Sequence, residues 1–137
     1  MELTPHLDVV ERQINLMKDL VAHEEYARCF QVAADYTRFY VIANDPDTIF
    51  FAELCQNIFG EMRELIRRYK LPDEQLEKMR LQLQKSLDSI FAALKSDNND
   101  DKYTAMRDLR VWLTLTQFNT WHMFNPRPVP SFPSPSQ

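Results

Sequence analysis

Gly60 is the single glycine among 137 residues. Hairpins and sheet corners draw on glycine for positive φ, whereas a helix bundle can do almost without it. The chain is therefore expected to be all-α. The same scarcity removes the P-loop and the dinucleotide-binding loop, since each needs several glycines in a fixed order to bring backbone N–H groups onto phosphate. Nine Phe, five Tyr and two Trp within 45% apolar residues supply enough burial to offset the entropy of ordering, so the body of the chain should be folded. The length fits one domain.

Helix punctuation divides that domain. Thr4-Pro5 has the cap-then-proline arrangement of a helix start, and the stripe Leu7, Val10, Ile14, Met17, Val21 follows at helical spacing. A second stripe, Cys29, Ala33, Tyr36, Tyr40, is rotated from the first by about 110° at 100° per residue. This jump in phase predicts a break near residues 22–25. Because Ala22-His23-Glu24-Glu25 holds no turn former, one long helix that changes partners midway is the alternative. Asn44-Asp45-Pro46 ends one helix and starts another, marked by Ile49, Phe50, Leu54, Ile58, Met62, Leu65 and Tyr69 and reaching about Lys70. After Leu71-Pro72 comes the seam Leu76, Met79, Leu83, Leu87, Ile90, Leu94, with Glu74 and Lys78 as a supporting i,i+4 pair. The polar run 96–101 precedes a last helix that Asn125-Pro126 stops. The expected architecture is an antiparallel bundle of four to five helices over residues 1–125, with an extended Pro/Ser-rich tail over 126–137. No repeat at solenoid spacing is apparent.

Charge and cysteine usage bound the surroundings. Net charge is −4, and residues 1–46 hold eight acids against four bases, which disfavours a nucleic-acid backbone as partner. Cys29 and Cys55 have neither metal nor disulfide spacing and read as reduced core thiols. No leader-like or membrane-spanning run is present, so a cytoplasmic protein without membrane contact is expected.

Catalytic chemistry finds little support. None of His6, His23 or His122 has Glu three residues before it, as helical di-iron sites require, and the His23-Glu24 pair has Ala27 where a zinc-binding His would stand. The closely spaced Arg and His of helical ribonucleases are missing as well, because the nearest Arg before His23 and His122 lies eleven and twelve residues away. Glu61/Glu64 and Glu74/Glu77 suggest the paired carboxylates of a Mg²⁺-dependent nucleotide pyrophosphohydrolase, but Leu71-Pro72 interrupts them. Their simpler explanation is a solvated face, with Glu64 pairing with Arg68 and Glu74 enriching a helix start. No metal or cofactor is expected. Arg63, Arg67, Arg68 and Lys70 form the one basic cluster, which with Tyr69 could serve a small RNA-binding subunit of a ribonucleoprotein. Cations in the last turns of a helix also complement its dipole without any ligand.

The strongest functional signal is the uncharged run from Val111 to Pro126. A surface helix normally shows a polar face every turn. On a helical wheel Leu109, Leu113 and Thr116 share one side, while Val111, Leu115, Phe118 and His122 share another. Two apolar faces imply two partners, one within the fold and one outside it; Trp112 and Trp121 would otherwise be large inner residues. In the tail, Arg127, Pro130 and Pro133 match the Arg-x-x-Pro-x-x-Pro spacing read by SH3-type grooves. The expected protein is thus a non-enzymatic helical interaction or regulatory module, homodimeric, whose partner-binding residues are Val111, Leu115, Phe118, Trp121, His122, Arg127, Pro130 and Pro133.

Overall fold

The computed structural model describes residues 5–96 and 98–125, which form α1 Pro5–Ala22, α2 Tyr26–Ala43, α3 Pro46–Arg68, α4 Asp73–Leu94 and α5 Asn99–Phe124. The described residues contain no strand, and none of their helices is long and apolar enough to cross a membrane. The proline-rich tail lies outside the described residues.

The phase jump resolves into two helices. Glu24 adopts φ 57°, its N–H donates to the Val21 carbonyl at 3.0 Å, and the Glu25 N–H donates to the Leu20 carbonyl at 2.9 Å. These are the paired bonds of a Schellman ending, with glutamate where glycine is usual. Left-handed backbone at a residue with a Cβ costs about 1 kcal/mol or somewhat more. The Glu24 carboxylate meets Arg80 of α4 at 3.3 Å, and the turn lets Val21 and Tyr26 both enter the core. The other boundaries have ordinary causes. Asn44 closes α2 at φ 57°, the Asp45 side chain accepts from the Asp47 N–H at 3.2 Å, and the Asn98 side chain accepts from the Asp100 N–H at 2.9 Å. α3 stops at Arg68 rather than Lys70, since Tyr69 is already extended.

Each helix packs closely on two others, in the cyclic order α1, α2, α3, α5, α4 and back to α1. α1 runs against α2, with Met17 opposite Cys29 and Gln13 opposite Tyr40, and against α4, with Lys18 opposite Asp88 and Glu24 opposite Arg80. α3 and α5 break the antiparallel expectation. Asp47 meets Lys102, Phe50 meets Tyr103, Glu61 meets Arg110 and Tyr69 meets Phe124, in the same order along both helices. An odd number of alternating helices closed into a ring must leave one parallel pair, and here it is α3 with α5. That seam is also the least closely packed of the five.

The stripes read from sequence line the interior. Val10, Ile14, Met17 and Val21 of α1, Cys29, Ala33 and Tyr40 of α2, and Met79, Leu83, Leu87 and Ile90 of α4 are all buried. On α3 the buried ridge is Phe51, Cys55, Ile58, Phe59 and Met62; Phe50 is half exposed against Tyr103, one position off the core face.

Both cysteines are free and buried. Burial pushes the Cys29 thiol up to about 12 and the Cys55 thiol higher still. Two outcomes follow. Neither thiol should react with a disulfide reagent in the native protein at neutral pH, while both should react in denaturant, because the thiolate is the nucleophile. Above about pH 9 the unfolded chain releases thiol protons that the folded chain keeps, so stability should fall with pH by about 1.4 kcal/mol per pH unit for each such group. Urea midpoints measured across alkaline pH check the sign; a midpoint that rises there would contradict thiol burial.

Candidate interaction surface

α5 presents two different sides. Met106, Leu109, Leu113, Thr116 and Thr120 are buried on the bundle. Opposite them, Val111, Leu115 and Phe118 are 49%, 56% and 59% exposed, and His122 is exposed as well. The two wheel faces expected from sequence are thus the inner and outer faces of one helix. His122 sits between two rings, its centroid 4.4 Å from Phe118 and 5.1 Å from Trp121, both edge-to-face. Such pairs are each worth about 0.5–1.5 kcal/mol beyond area burial. They hold this end of the helix as a firm aromatic surface rather than as three independent side chains.

Trp121 stands a quarter-turn round from the outer face, toward α3. There the parallel seam opens into a groove of about 800 Å³, lined among others by Gly60, Leu65, Phe30, Tyr69, Phe118 and Trp121. Gly60 matters at this point. A Cβ on it would come within 3.2 Å of the Phe30 ring, so its absence lets α2 and α3 approach and leaves Phe30 facing the groove. At the far end the Tyr69 and Phe124 rings stack at 5.0 Å. Toward the other end the groove is held by Arg110, whose guanidinium donates to both oxygens of Glu61 at 2.5 and 3.2 Å. A bidentate pair of this kind fixes orientation as well as distance.

The basic cluster lies along the same groove, an adjacency that sequence spacing did not reveal. Arg63 covers the Phe30 ring at 5.0 Å from its centroid, and Arg68 lines the groove. Arg67, not Arg68, pairs with Glu64, at 2.7 Å. The Arg67 hydrogen bond holds the Glu64 carboxyl below the usual carboxylate range. Lys70 is exposed beyond the helix end and does not line the groove. With Glu61 and Glu64 interleaved, the groove carries mixed charge instead of the concentrated positive footprint that a phosphate backbone demands.

The remaining candidates fall elsewhere. Glu61 and Glu64 are each engaged by arginine, and Glu74 lies 3.4 Å from Lys78 on α4, as the i,i+4 spacing predicted. Among the described residues no three His, Cys, Asp or Glu side chains converge as metal ligands would. His23 is exposed, its Nδ1 2.9 Å from the Asp19 carbonyl. Arg127, Pro130 and Pro133 lie outside the described residues. Sequence reasoning missed Phe30, which reaches the groove from another helix, and the exposed Val41 and Ile42 at the end of α2. Their alternation with core residues resembles an ordinary buried helix end. Comparison with protein families, with curated proteins and with solved structures finds no match to this chain.

Proposed function

We propose that the protein is a helical interaction module that associates with a second copy of itself through the outer face of α5. The observation that carries this reading is the row Val111, Leu115, Phe118, each about half exposed on the helix face opposite a buried one. Water contact along such a row is unfavourable at about 25 cal/mol per Å² of apolar surface, and a matching face removes it. The two-fold symmetry of a homodimer would set the same row against itself without a second sequence having to complement it.

The eighteen residues from Arg107 to Phe124 make a strip about 27 Å long and 10–12 Å wide, a footprint of roughly 300 Å². Stable interfaces bury about 800 Å² per partner. The strip is therefore a core that needs its flanks on α3 and α4, and association should depend visibly on concentration. A ribonucleoprotein role has less support, because Arg63 and Arg67 are engaged by Phe30 and Glu64. Light scattering tests the dimer. Wild type is expected at twice the 16.3 kDa chain mass. Phe118→Glu and, separately, Leu115→Glu should each return the single-chain mass with the helical signal intact. A wild-type mass of one chain at the highest attainable concentration would overturn the proposal.

A further inference from the structure

The exposed row of α5 has a spacing that reads the same in both directions. Val111, Leu115, Phe118 and His122 are separated by four, three and four residues, so the row has its midpoint between Thr116 and Gln117. Turned end for end, it superposes on itself, with Val111 over His122 and Leu115 over Phe118. Side-chain size is not symmetric in the same way. It grows along the row, from Val111 through Leu115 to Phe118 and to His122, whose ring is backed by Phe118 and Trp121. Two such rows laid parallel would set thin end on thin end and thick on thick, so the helices would splay and lose contact at Val111. Laid antiparallel, each thicker residue meets a thinner one and the helix separation stays even, as close packing demands. Opposed helix dipoles act in the same direction, since each N-terminal end then lies beside a C-terminal one.

The flanks respond to this orientation as well. A two-fold axis perpendicular to a pair of antiparallel α5 helices keeps each flank on its own side, so α3 of one copy comes beside α3 of the other. Charge is ordered along the outer side of α3. Glu53, Glu61 and Glu64 precede Arg67 and Arg68 in its last turn, with Lys70 just beyond the helix end. Arg63 is the exception, and it lies over Phe30. Antiparallel flanks therefore bring the basic end of each α3 beside the more acidic stretch of the other. The rings of Tyr69 and Trp121 stand on this flank too, so contact there adds apolar area to an α5 strip that is too small to hold two copies by itself.

We propose that two copies of the chain associate antiparallel about a two-fold axis at residues 116–117, with Phe118 of each against Leu115 of the other, His122 against Val111, and the two α3 flanks side by side. This rests on the self-association reading above and adds the orientation and register of the partner. Because the two-fold contact uses the same surface on both copies, it is closed, and assembly stops at two chains.

Cross-linking reads the orientation directly. Two full-length variants, Val111→Cys and His122→Cys, change exposed positions and leave Leu115 and Phe118 in place. The native Cys29 and Cys55 are buried and do not compete. Each variant alone, and an equal mixture of the two, is treated with a short bismaleimide at a concentration where wild type scatters as a dimer. The expected result is a linked dimer from the mixture, joined between positions 111 and 122 by peptide mass, at several times the yield of either variant alone. In the antiparallel pair, like positions are displaced by eleven residues, about 16 Å along the axis, which a short linker does not span. Efficient linkage of each variant to itself would show parallel copies and overturn the proposal while leaving self-association standing; no linkage in any sample would overturn it as well. A single-chain mass for wild type in light scattering would remove self-association itself, and this orientation with it.

Discussion

Leu113→Ala is expected to destabilise the fold by about 2–5 kcal/mol, while Leu115→Ala, two residues along the same helix, should change stability by no more than about 0.5 kcal/mol. Leu113 is fully buried against the bundle, and Leu115 is more than half exposed on the opposite side. Removing three carbons from a packed site loses their transfer free energy and leaves a void that the neighbours only partly fill. Removing them from a solvated site leaves no void. The comparison is read by urea unfolding at low protein concentration, where association contributes least. If Leu115 has a role, it appears instead as a weaker dimer in light scattering. Equal costs at the two positions would mean that the faces of α5 are wrongly assigned, and with them the proposed function.

The next largest effect concerns the polar pair inside the bundle. Tyr40 and Gln13 are both wholly buried, and the Tyr40 hydroxyl donates to Gln13 Oε1 at 2.7 Å. The other end of the Gln13 amide finds only the Met17 sulfur at 3.7 Å, a weak acceptor. Tyr40→Phe is expected to cost about 1–3 kcal/mol, most of it from the amide oxygen left dry and unpartnered. Pairing that change with Gln13→Leu should recover much of the loss, because two apolar groups of similar shape leave nothing unsatisfied. A double-mutant cycle measures this coupling directly. Strict additivity would show that the bond contributes nothing, and that Tyr40 acts only as a packed ring.

Two places show where one-dimensional pattern stops being informative. At the α1–α2 junction the local residues give no turn signal, and only the displaced phase of the two apolar stripes points to a break. Glu24 accepts left-handed backbone because its carboxylate reaches Arg80 and because the core gains both Val21 and Tyr26. At Glu64 the i+3 and i+4 arginines are equivalent by spacing, yet Arg67 makes the pair and Arg68 turns toward the groove. Both outcomes depend on neighbours distant in sequence. Phe50 follows the same rule: its spacing suits the core stripe, but the rotation of α3 within the ring places it against Tyr103.

Local chemistry along the chain was enough for the helical class, the stop at Asn44, the helix restart after Pro72, the core stripes of α1, α2 and α4, and the two-sided character of α5. Each depends on residues within a few turns of one another, where periodicity and capping act directly. The groove was beyond that range. It exists because five alternating helices close into a ring, which forces α3 and α5 to lie parallel and brings Tyr69, Arg68 and Trp121 to one seam with Phe30 from a third helix. Neighbour choice of this kind is settled by packing summed over the whole core, and no short segment encodes it.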